Sequence, residues 1–476
     1  MDFHGLRVHV IGIGGIGVSG LARYLKAQGA IVSGSDIAAT SLIEGLRQEG
    51  LEINIPHAPE VIASKDLIIH SAIIREDNVE MLEARRLNKP LLSRKEALKI
   101  LLANKKVLSI CAAHGKSSTS AILSALLPDS GAIIGALSKE FDSNVRVSPA
   151  DLLVFEADES DKSFLNSNPY SSIVLNIEAE HLESYEQDFG LLKEAYYEFM
   201  FKAKEVVANL GCPVVAKLVE RLEGESSYSE LKAPNWECRA NSIDGATKRL
   251  VKLDPRDIRN LSYELRGDLP YTSFELGGLG RFSVQGLGEH TAINASLAIL
   301  SALPFLPLEK LRENLLNFKG LKKRFDLLQP LSNEAPCIID DYAHHPTEIK
   351  ATLKAARIYA DLLEKQKGLD KPLKITALFQ PHKYSRLRDN LEDFKACFSD
   401  CDELVILPVW AAGEAPIDFD FASLFARYKP RLATRLRRRG NQLALEDSRG
   451  REVILESSLL VGLGAGDITY QLRGEK

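Results

Sequence analysis

Two glycine-rich stretches, each directly after an apolar run, carry the residue types that bind phosphate groups. The first, VHVIGIGGIGVSG at positions 8–20, has the G-x-G-x-x-G spacing in Gly12, Gly14 and Gly17. That spacing at the start of a βα unit is typical of a dinucleotide site, although another diphosphate would fit it equally. The second stretch, CAAHGKSST at 111–119, ends in the G-K-S of a phosphate-binding loop. The sequence therefore predicts two phosphate sites.

The second stretch also predicts a metal-dependent nucleotide site. Lys116 would neutralise the β- and γ-phosphates, and the Ser117 hydroxyl would bind Mg²⁺. Acidic residues follow the apolar run of DLLVFEADES, and His181 follows another apparent strand in NIEAEH. Because the carboxyl ends of parallel strands form the binding edge of α/β sheets, we expect these groups near the loop. The candidate acids are Glu156, Asp158, Glu159 and Asp161.

The composition limits the classes of partner. The chain has 476 residues, a formal net charge of −5 and six scattered cysteines. These values predict several domains, no general attraction to nucleic acid, and neither a disulfide framework nor a zinc site. The basic run RLRRR at 435–439 is expected to be a solvated face. No apolar stretch is long enough to span a bilayer and no leader is recognised, so a cytoplasmic location is predicted.

The elements that must position these residues alternate between short apolar runs and helical patterns. This alternation predicts an α/β fold of three consecutive domains. We place a Rossmann-like domain at 1–104, a P-loop-type ATPase domain with an added antiparallel segment (within 225–286) at 105–328, and a second Rossmann-like α/β domain at 329–476. Binding sites are expected in clefts beside these modules.

With these elements in place, the chain resembles the Mur ligase family. The motifs that carry the resemblance run in family order from residue 11 to residue 468, and only the complete set is specific. They are IGIGGIGVSGLA, AHGKSST, EADESDKSF, NIEAEH, GEHTAINA, KKRFD, DDYAHHPTE, FQPHKYSR and GAGDI.

The resemblance implies a three-domain enzyme of peptidoglycan precursor synthesis, with a UDP-sugar domain, a central ATPase and a C-terminal domain that contacts the amino acid and the nucleotide. The implied reaction joins L-alanine to the carboxylate of UDP-N-acetylmuramate, with ATP and Mg²⁺ as cofactors. A carboxylate is a poor acyl donor, so phosphoryl transfer would first give an acyl phosphate, which the amine attacks through a tetrahedral intermediate. The implied oligomeric state is a monomer or a weak homodimer.

The resemblance also implies a role for each matching residue. The catalytic residues are Lys116, His181, His344 and Arg386, and the metal ligands are Ser117, Glu156 and His181. The nucleotide contacts are Ala113, His114, Gly115, Lys116, Ser117, Ser118, His290, Asn294, Arg324, Asp340, Asp341 and Tyr342. The UDP-sugar contacts are Gly12, Gly14, Gly15, Gly17, Ser19, Asp36, Ser71 and Lys383. DDYAHHP would also suit a helix N-terminus with an early Pro346.

The chain departs from the family pattern at a few positions. Ala112 stands in place of a glycine in the second loop, which is costly only where that position needs a positive φ or a close approach to phosphate. Thr291 replaces an asparagine beside His290, and Lys383 replaces an arginine. Glu180 and Glu183 stand where aspartates are usual. Weaker nucleotide binding is one expected consequence.

Three other functions remain open from the sequence. A related recycling ligase that attaches a tripeptide to UDP-N-acetylmuramate is the nearest. An NAD-dependent oxidoreductase is suggested by the first glycine loop and by Asp36, which stands where an acidic residue takes the ribose hydroxyl. An oxidoreductase of this kind would not require the second phosphate loop. A non-catalytic nucleotide-binding regulator would explain Ala112, but it gives Glu156, His181 and Lys116 no role.

Overall fold

The computed structural model describes residues 3–160, 162–224, 228–231 and 248–475. The chain divides into two compact units. The first comprises Met1–Arg259, Glu275–Gly280 and Ile293–Phe318, and the second comprises Asn260–Phe274, Arg281–Ala292 and Lys319–Lys476. The predicted turn-rich stretch 225–286 lies partly outside the described residues, at 225–227 and 232–247.

The first unit begins with a sheet of five parallel strands. The strands are β1 (Arg7–Ile11), β2 (Ile31–Ser35), β3 (Glu52–Asn54), β4 (Leu67–His70) and β5 (Leu91–Ser93), in the order β3-β2-β1-β4-β5. The helices are α1 (Ile16–Ala27), α2 (Ser41–Gln48), α3 (Val79–Arg86) and α4 (Arg94–Leu102). The first glycine loop joins β1 to α1, so it lies at the carboxyl end of a central strand, as predicted.

A second sheet in the same unit has eight strands. They are β6 (Lys106–Cys111), β7 (Gly131–Ser138), β8 (Ser143–Arg146), β9 (Leu152–Glu156), β10 (Pro169–Val174), β11 (Glu205–Asn209), β12 (Tyr228–Leu231) and β13 (Lys248–Leu253). The order is β12-β13-β11-β10-β6-β9-β7-β8, and only β8 runs antiparallel to its neighbour. Its helices are α5 (Lys116–Leu126), α6 (Phe189–Lys202) and α7 (Pro213–Glu223). The second glycine loop joins the central β6 to α5.

A three-stranded sheet and two helices follow. The strands are β14 (Ile258–Arg266), β15 (Leu269–Leu276) and β16 (Gly280–Gln285), and the helices are α8 (Glu289–Ala302) and α9 (Leu308–Leu316). Connections of two and three residues between successive strands suit only antiparallel neighbours. This sheet fits the antiparallel segment predicted within 225–286 over residues 258–285 only. The prediction is wrong for β12 and β13, which lie in the same range but run parallel in the eight-stranded sheet.

The C-terminal part of the second unit holds two more sheets. The strands are β17 (Asp326–Gln329), β18 (Cys337–Asp341), β19 (Ile375–Phe379), β20 (Glu403–Ile406), β21 (Arg431–Leu432), β22 (Arg435–Arg439), β23 (Gln442–Glu446), β24 (Glu452–Ile454) and β25 (Leu459–Leu463). Six form the order β17-β18-β25-β19-β20-β21, parallel except at β17, and β22-β23-β24 form an antiparallel sheet. The helices are α10 (Pro346–Lys367), α11 (Tyr384–Asp389), α12 (Leu391–Ala396), α13 (Phe421–Leu424) and α14 (Ile468–Arg473).

The parallel strands are apolar along most of their length because helices or other layers cover both faces. Buried residues such as Val8, Val10, Val107, Ile339 and Val461 show this. The α/β class with parallel sheets is therefore confirmed, whereas the three domain boundaries remain a prediction.

The basic run at 435–439 is the strand β22. Arg437 pairs with Glu446 at 2.6 Å, and Arg439 pairs with Glu452. Arg438 donates to the backbone oxygen of Leu472 at 3.1 Å. These contacts engage three of the four arginines of the run within the same unit. Of the described helices, none combines the length and apolar character needed to cross a bilayer.

Candidate active site

The first glycine loop turns sharply at Gly12. Its φ is +78°, and a Cβ there would lie 3.0 Å from Ile74 Cδ1 and 3.2 Å from Ser71 Cβ. A side chain would therefore be strained twice, once by the backbone conformation and once by its neighbours. Ser71, directly after β4, lies against this turn. Its predicted contact with the UDP-sugar stays a prediction.

Asp36, at the end of β2, holds the next part of the loop. Its Oδ2 accepts a hydrogen bond from the Gly14 N–H at 2.8 Å, and its Oδ1 accepts one from the Ile37 N–H at 2.7 Å. Both carboxylate oxygens are thus bonded to backbone groups. In an NAD enzyme the corresponding acid faces the ribose. Any ligand that contacts Asp36 here must compete with these two backbone bonds.

The start of α1 offers backbone donors to an anion. Gly15 is the N-cap residue, no side chain caps the helix, and the first turn contains no acidic residue. Ser19 is buried and its N–H bonds to the Gly15 oxygen at 2.8 Å. The remaining N–H groups of the first turn suit a phosphate.

The second glycine loop turns at Gly115, the N-cap residue of α5. Its φ is +87°, and a Cβ would lie 3.0 Å from Leu175 and 3.1 Å from the amide oxygen of Asn294. Asn294 follows the loop by almost 180 positions in the chain, yet its side chain contacts the turn. This contact places Asn294 at the nucleotide loop. Ser118 lies in the first turn of α5.

The residues before Gly115 are fixed by Asn176, which the sequence analysis did not single out. Its side chain accepts from the His114 N–H and donates to the His114 oxygen, both at 2.9 Å. Its backbone oxygen accepts from the Ala113 N–H at 3.2 Å. Asparagine side chains often bind nearby backbone groups. The position of Asn176 in NIEAEH, after a buried strand, could therefore have indicated that it holds the loop.

Ala112 has no need of a glycine conformation. It is fully buried and is not among the residues with positive φ. Its carbonyl oxygen accepts a hydrogen bond from Lys116 Nζ at 2.6 Å. The replacement of the family's glycine is therefore compatible with an ordinary backbone at this position.

Lys116 is held over the loop by Glu159. Its Nζ donates to the Ala113 oxygen at 3.2 Å and lies 2.9 and 3.0 Å from the two carboxylate oxygens of Glu159. Burial alone would lower the pKa of Lys116, but Glu159 and Asp158 raise it above its usual value. Burial raises the pKa of Glu159, and Lys116 opposes that rise. The ammonium stays charged in this setting.

Ser117 and Glu156 form an oxygen pair at the head of α5. The Ser117 hydroxyl donates to Glu156 Oε1 at 3.0 Å, and Glu156 Oε2 accepts from the Gly135 N–H at 2.6 Å. A hydroxyl and a carboxylate are hard oxygen donors of the kind that Mg²⁺ prefers. These two residues therefore fit a Mg²⁺ ion. Asp161, the fourth candidate acid, lies outside the described residues.

His181 lies in a second acidic group after β10. Its ring nitrogens are 3.9 Å from Glu180 and 3.6 Å from Glu183, and its φ is +54°. His114 Nε2 lies 3.3 Å from carboxylate oxygens of both Glu178 and Glu180. Imidazole and carboxylate groups of the first unit are thus brought together beside the phosphate loop.

In the second unit, Asp340 and Asp341 end β18 and face opposite sides of the strand. Thr469 and Arg473 of α14 donate to Asp340 Oδ2 at 2.6 and 2.9 Å. Asp341 accepts from the backbone N–H groups of Phe325 and Ala343 at 2.7 and 2.8 Å. Burial raises the pKa of Asp341 to about 6, against the lowering effect of Arg324.

Four of the predicted contacts lie in one row in this unit. The Arg324 guanidinium is 5.2 Å from the centre of the Tyr342 ring, which is 5.2 Å from that of His344. His382, which the sequence analysis did not assign, continues the row at 5.5 Å from His344, and Arg386 lies 3.3 Å from its Nδ1. Burial lowers the pKa of His344 to about 3 and that of His382 to about 4, so both rings are uncharged at neutral pH.

Glu348 is a further residue that the sequence analysis missed. It accepts from the N–H groups of His344 and His345 at 3.1 and 3.4 Å and lies 3.8 Å from Arg324. A glutamate three positions after the N-cap residue His345 is the pattern of a capping box. This spacing is visible in the sequence and could have indicated the role of Glu348. Lys383 has a φ of +67° at the N-cap of α11.

His290 and Thr291 lie in the first turn of α8. A Cβ on Gly288 would lie 2.7 Å from the His290 ring. The Thr291 hydroxyl donates to the Leu287 oxygen at 2.8 Å. The Thr291 side chain therefore binds the backbone of its own segment, at a position where the family usually has an asparagine.

Comparisons with known proteins show which family the chain resembles. Residues 7–106 match the Mur ligase family, catalytic domain. The UDP-N-acetylmuramate–L-alanine ligase of Helicobacter pylori is 53% identical over 470 residues, covering 98% of this chain and 96% of that protein. The Campylobacter curvus protein of that name is 46% identical over 469 residues, covering 98% and 99%.

Solved structures show the same fold. The UDP-N-acetylmuramate–alanine ligase of Thermotoga maritima aligns with a TM-score of 0.76 at 22% identity, covering 98% of this chain and 97% of that one. A murein peptide ligase from Psychrobacter arcticus aligns with a TM-score of 0.61 at 16% identity and the same coverage. On the strength of the full-length relatives, the chain belongs to the Mur ligase family.

Proposed function

We propose that this protein joins L-alanine to the carboxylate of UDP-N-acetylmuramate and converts ATP to ADP and phosphate, as a step of peptidoglycan precursor synthesis. The observation that carries the proposal is the head of α5, where Lys116 and the Ser117–Glu156 pair surround a helix start suited to phosphate. The substrates follow from relatives that bear this activity in their name over 98% of the chain.

The chemistry requires activation of a carboxylate. Its negative charge and resonance resist attack by an amine, and an oxide ion is not a usable leaving group. Transfer of the γ-phosphoryl group to a carboxylate oxygen gives an acyl phosphate, releasing ADP. The amine of L-alanine then attacks the acyl carbon, and the tetrahedral intermediate expels phosphate to leave the amide.

The second loop would serve the phosphoryl transfer. The backbone of Ala113 to Ser118 would surround the phosphates. Lys116 would leave Glu159 and pair with the negatively charged phosphates instead. Ser117 and Glu156 would hold one Mg²⁺ and His181 a second. Bound Mg²⁺ neutralises phosphate charge as it develops.

Other residues would bind the rest of the nucleotide. Asn294 and His290 are proposed to contact the adenine, and Arg324 the phosphates. Of the two aspartates of β18, Asp341 is the better candidate for the ribose, with Tyr342 nearby. Asp340 is instead engaged by Arg473 in an ion pair of 2.9 Å.

His344 and Arg386 would bind L-alanine or the intermediate. A guanidinium suits the amino-acid carboxylate. The His344 Nδ1 lies 2.9 Å from the Tyr342 oxygen, an arrangement that assigns the proton to Nδ1 and leaves Nε2 as an acceptor. Because burial keeps this ring uncharged, it would accept a hydrogen bond from the amino group without repelling it.

The first loop would bind the UDP-sugar. Gly12, Gly14, Gly15 and Gly17 let the backbone approach the diphosphate, and Ser19 lies near the helix start. Ser71, Asp36 and Lys383 are proposed as further contacts. For Asp36 the contact requires competition with the Gly14 N–H.

The test is phosphate release from ATP with Mg²⁺, UDP-N-acetylmuramate and L-alanine, together with detection of the alanyl product. We expect turnover only when both acceptors are present. Strong turnover with L-Ala-γ-D-Glu-diaminopimelate and none with L-alanine would instead establish the recycling ligase.

The surroundings of the enzyme are also proposals. ATP and a nucleotide sugar as substrates support a cytoplasmic location, and no nucleic acid or membrane partner is proposed. A monomer or weak homodimer is proposed, and sedimentation over a range of concentrations would decide between them.

A further inference from the structure

Arg94 lies where α4 packs against the segment that follows β9. It is the first residue of α4, and Ser93 and Glu96 fix the start of that helix by a capping box. Its half-buried side chain is assigned no part in the proposed reaction. Two of its contacts are with residues in motifs of the ligand loops.

The first neighbour is Gly17, the last glycine of the first loop. A Cβ built on Gly17 would lie 3.1–3.2 Å from Nη2, Cζ and Nε of Arg94. Three guanidinium atoms at nearly equal distance show that the group lies flat against the glycine. The missing side chain of Gly17 leaves the space in which Arg94 packs. This contact lies at the start of α1, the helix proposed to face the diphosphate.

The second neighbour is Ser163, in the segment EADESDKSF that follows β9. Arg94 Nη1 donates to the Ser163 hydroxyl at 3.1 Å. Ser163 is itself buried. One guanidinium thus touches both motifs.

Residues 158–160 and 162–164, on the two sides of Asp161, are joined by hydrogen bonds. The Asp158 oxygen accepts from the Phe164 N–H at 3.2 Å, and the Glu159 oxygen accepts from the Lys162 N–H at 3.2 Å and from the Tyr185 hydroxyl at 2.6 Å. Residues joined in this way are expected to shift together. Glu159 at its head holds Lys116.

We propose that Arg94 is a positioning residue that couples the two glycine loops. A diphosphate bound at the start of α1 attracts the guanidinium beside Gly17. Movement of the guanidinium shifts Ser163 and, with it, Glu159. The position of Glu159 then determines how easily Lys116 leaves that carboxylate and binds the nucleotide phosphates. This inference rests on the proposed function, because it assumes that the first loop takes the UDP-sugar and the second takes ATP.

Coupling is measurable as a ratio of affinities. The factor by which UDP-N-acetylmuramate changes the affinity for a nucleotide must equal the factor by which the nucleotide changes the affinity for UDP-N-acetylmuramate. We would titrate the full-length protein with the β,γ-imido analogue of ATP and Mg²⁺ by calorimetry, with and without saturating UDP-N-acetylmuramate. In the wild-type protein we expect a factor of about five or more.

Variants separate coupling from a structural brace. Arg94→Ala is expected to bring the factor to within about twofold of one, and Ser163→Ala to reduce it in part because only one contact is lost. Arg94→Lys keeps the charge but loses the planar group that reaches both neighbours, so it should resemble Arg94→Ala. Lys95→Ala removes an exposed cation from the same helix turn and should leave the wild-type factor.

The outcomes divide cleanly. An unchanged factor in Arg94→Ala, or a wild-type factor of one, overturns the inference even when the wild-type protein ligates L-alanine. A loss of melting temperature with an unchanged factor shows a brace alone and also overturns it. If the wild-type protein does not ligate L-alanine at all, it is the proposed function that fails.

Discussion

The two glycine loops of the first unit solve the same structural problem with different contacts. Each joins a central parallel strand to a helix, and each turns at a glycine of positive φ, Gly12 at +78° and Gly115 at +87°. The first loop is held by a carboxylate, Asp36, that binds its backbone N–H. The second is held by an ammonium, Lys116, that binds its backbone oxygens and Glu159.

This difference determines which group a ligand must displace at each loop. At the first loop a diphosphate competes with Asp36 for backbone donors, and no cation of the loop itself takes part. At the second loop the ligand competes with Glu159 for a buried cation. Charge should therefore matter more at the second loop, and backbone shape should matter at both.

The largest effect is expected from Lys116→Ala. Loss of a positioned charge at the transferring group should lower kcat by at least about 10²–10³-fold, measured as phosphate release. Binding of UDP-N-acetylmuramate, measured by calorimetry, should be unchanged within error because the first loop does not use Lys116. If both are lost, the two loops have been assigned to the wrong ligands.

The paired variants Gly12→Ala and Gly115→Ala test whether the two turns are equivalent. Each places a Cβ at positive φ and 3.0 Å from a neighbouring carbon, so each should lower the free energy of unfolding by about 1–2 kcal/mol. In titrations of the folded variants, Gly12→Ala should weaken UDP-sugar binding alone and Gly115→Ala nucleotide binding alone. Equal loss of both affinities in either variant would contradict separate sites.

Glu159→Gln tests the ion pair through pH. Burial lowers the pKa of Lys116 and Glu159 opposes it, so the amide variant should have a lower Lys116 pKa. The ammonium is needed in its charged form, and the alkaline limb of the kcat/KM profile should therefore move to lower pH. Glu186→Gln, at an exposed acid of the same unit, should leave the limb in place.

The matched change at the first loop, Asp36→Asn, should be milder. Asparagine keeps an oxygen that accepts from the Gly14 N–H, and no buried cation loses its partner. We expect a change in UDP-sugar affinity of less than about tenfold, which is the value of one neutral hydrogen bond, and no shift of the alkaline limb. A shift of that limb would mean that the two loops share their charges.

The sequence predicted the loops well because their chemistry is local. A strand, a glycine turn and a helix are adjacent in the chain, so the spacing of Gly12 and of Gly115–Ser117 was enough. The contacts of Asn294 with Gly115 and of Arg94 with Gly17 depend on side chains that the fold brings together from distant positions. No spacing rule could have given them.

The second unit shows the same limit. DDYAHHP and FQPHKYSR predicted residues that the structure places in one row, but His382 and Glu348 were not singled out. The uncharged state of His344 also could not be predicted, because it comes from burial by residues far apart in sequence. The preference for Asp341 over Asp340 depends on the ion pair between Asp340 and Arg473, which are far apart in the sequence.

Ala112→Gly should have the smallest effect and completes the comparison of the loops. Gly12 needs a positive φ, whereas Ala112 does not; its methyl group is buried and its carbonyl already binds Lys116. Restoring the family's glycine should therefore leave the KM for ATP within about twofold of wild type and lower the free energy of unfolding by about 0.5–1 kcal/mol through the added chain entropy. The checks are initial rates at varied ATP and chemical denaturation. A marked fall in KM would mean that the methyl group obstructs the phosphates, and that the alanine, rather than the Lys116–Glu159 pair, limits nucleotide affinity at the second loop.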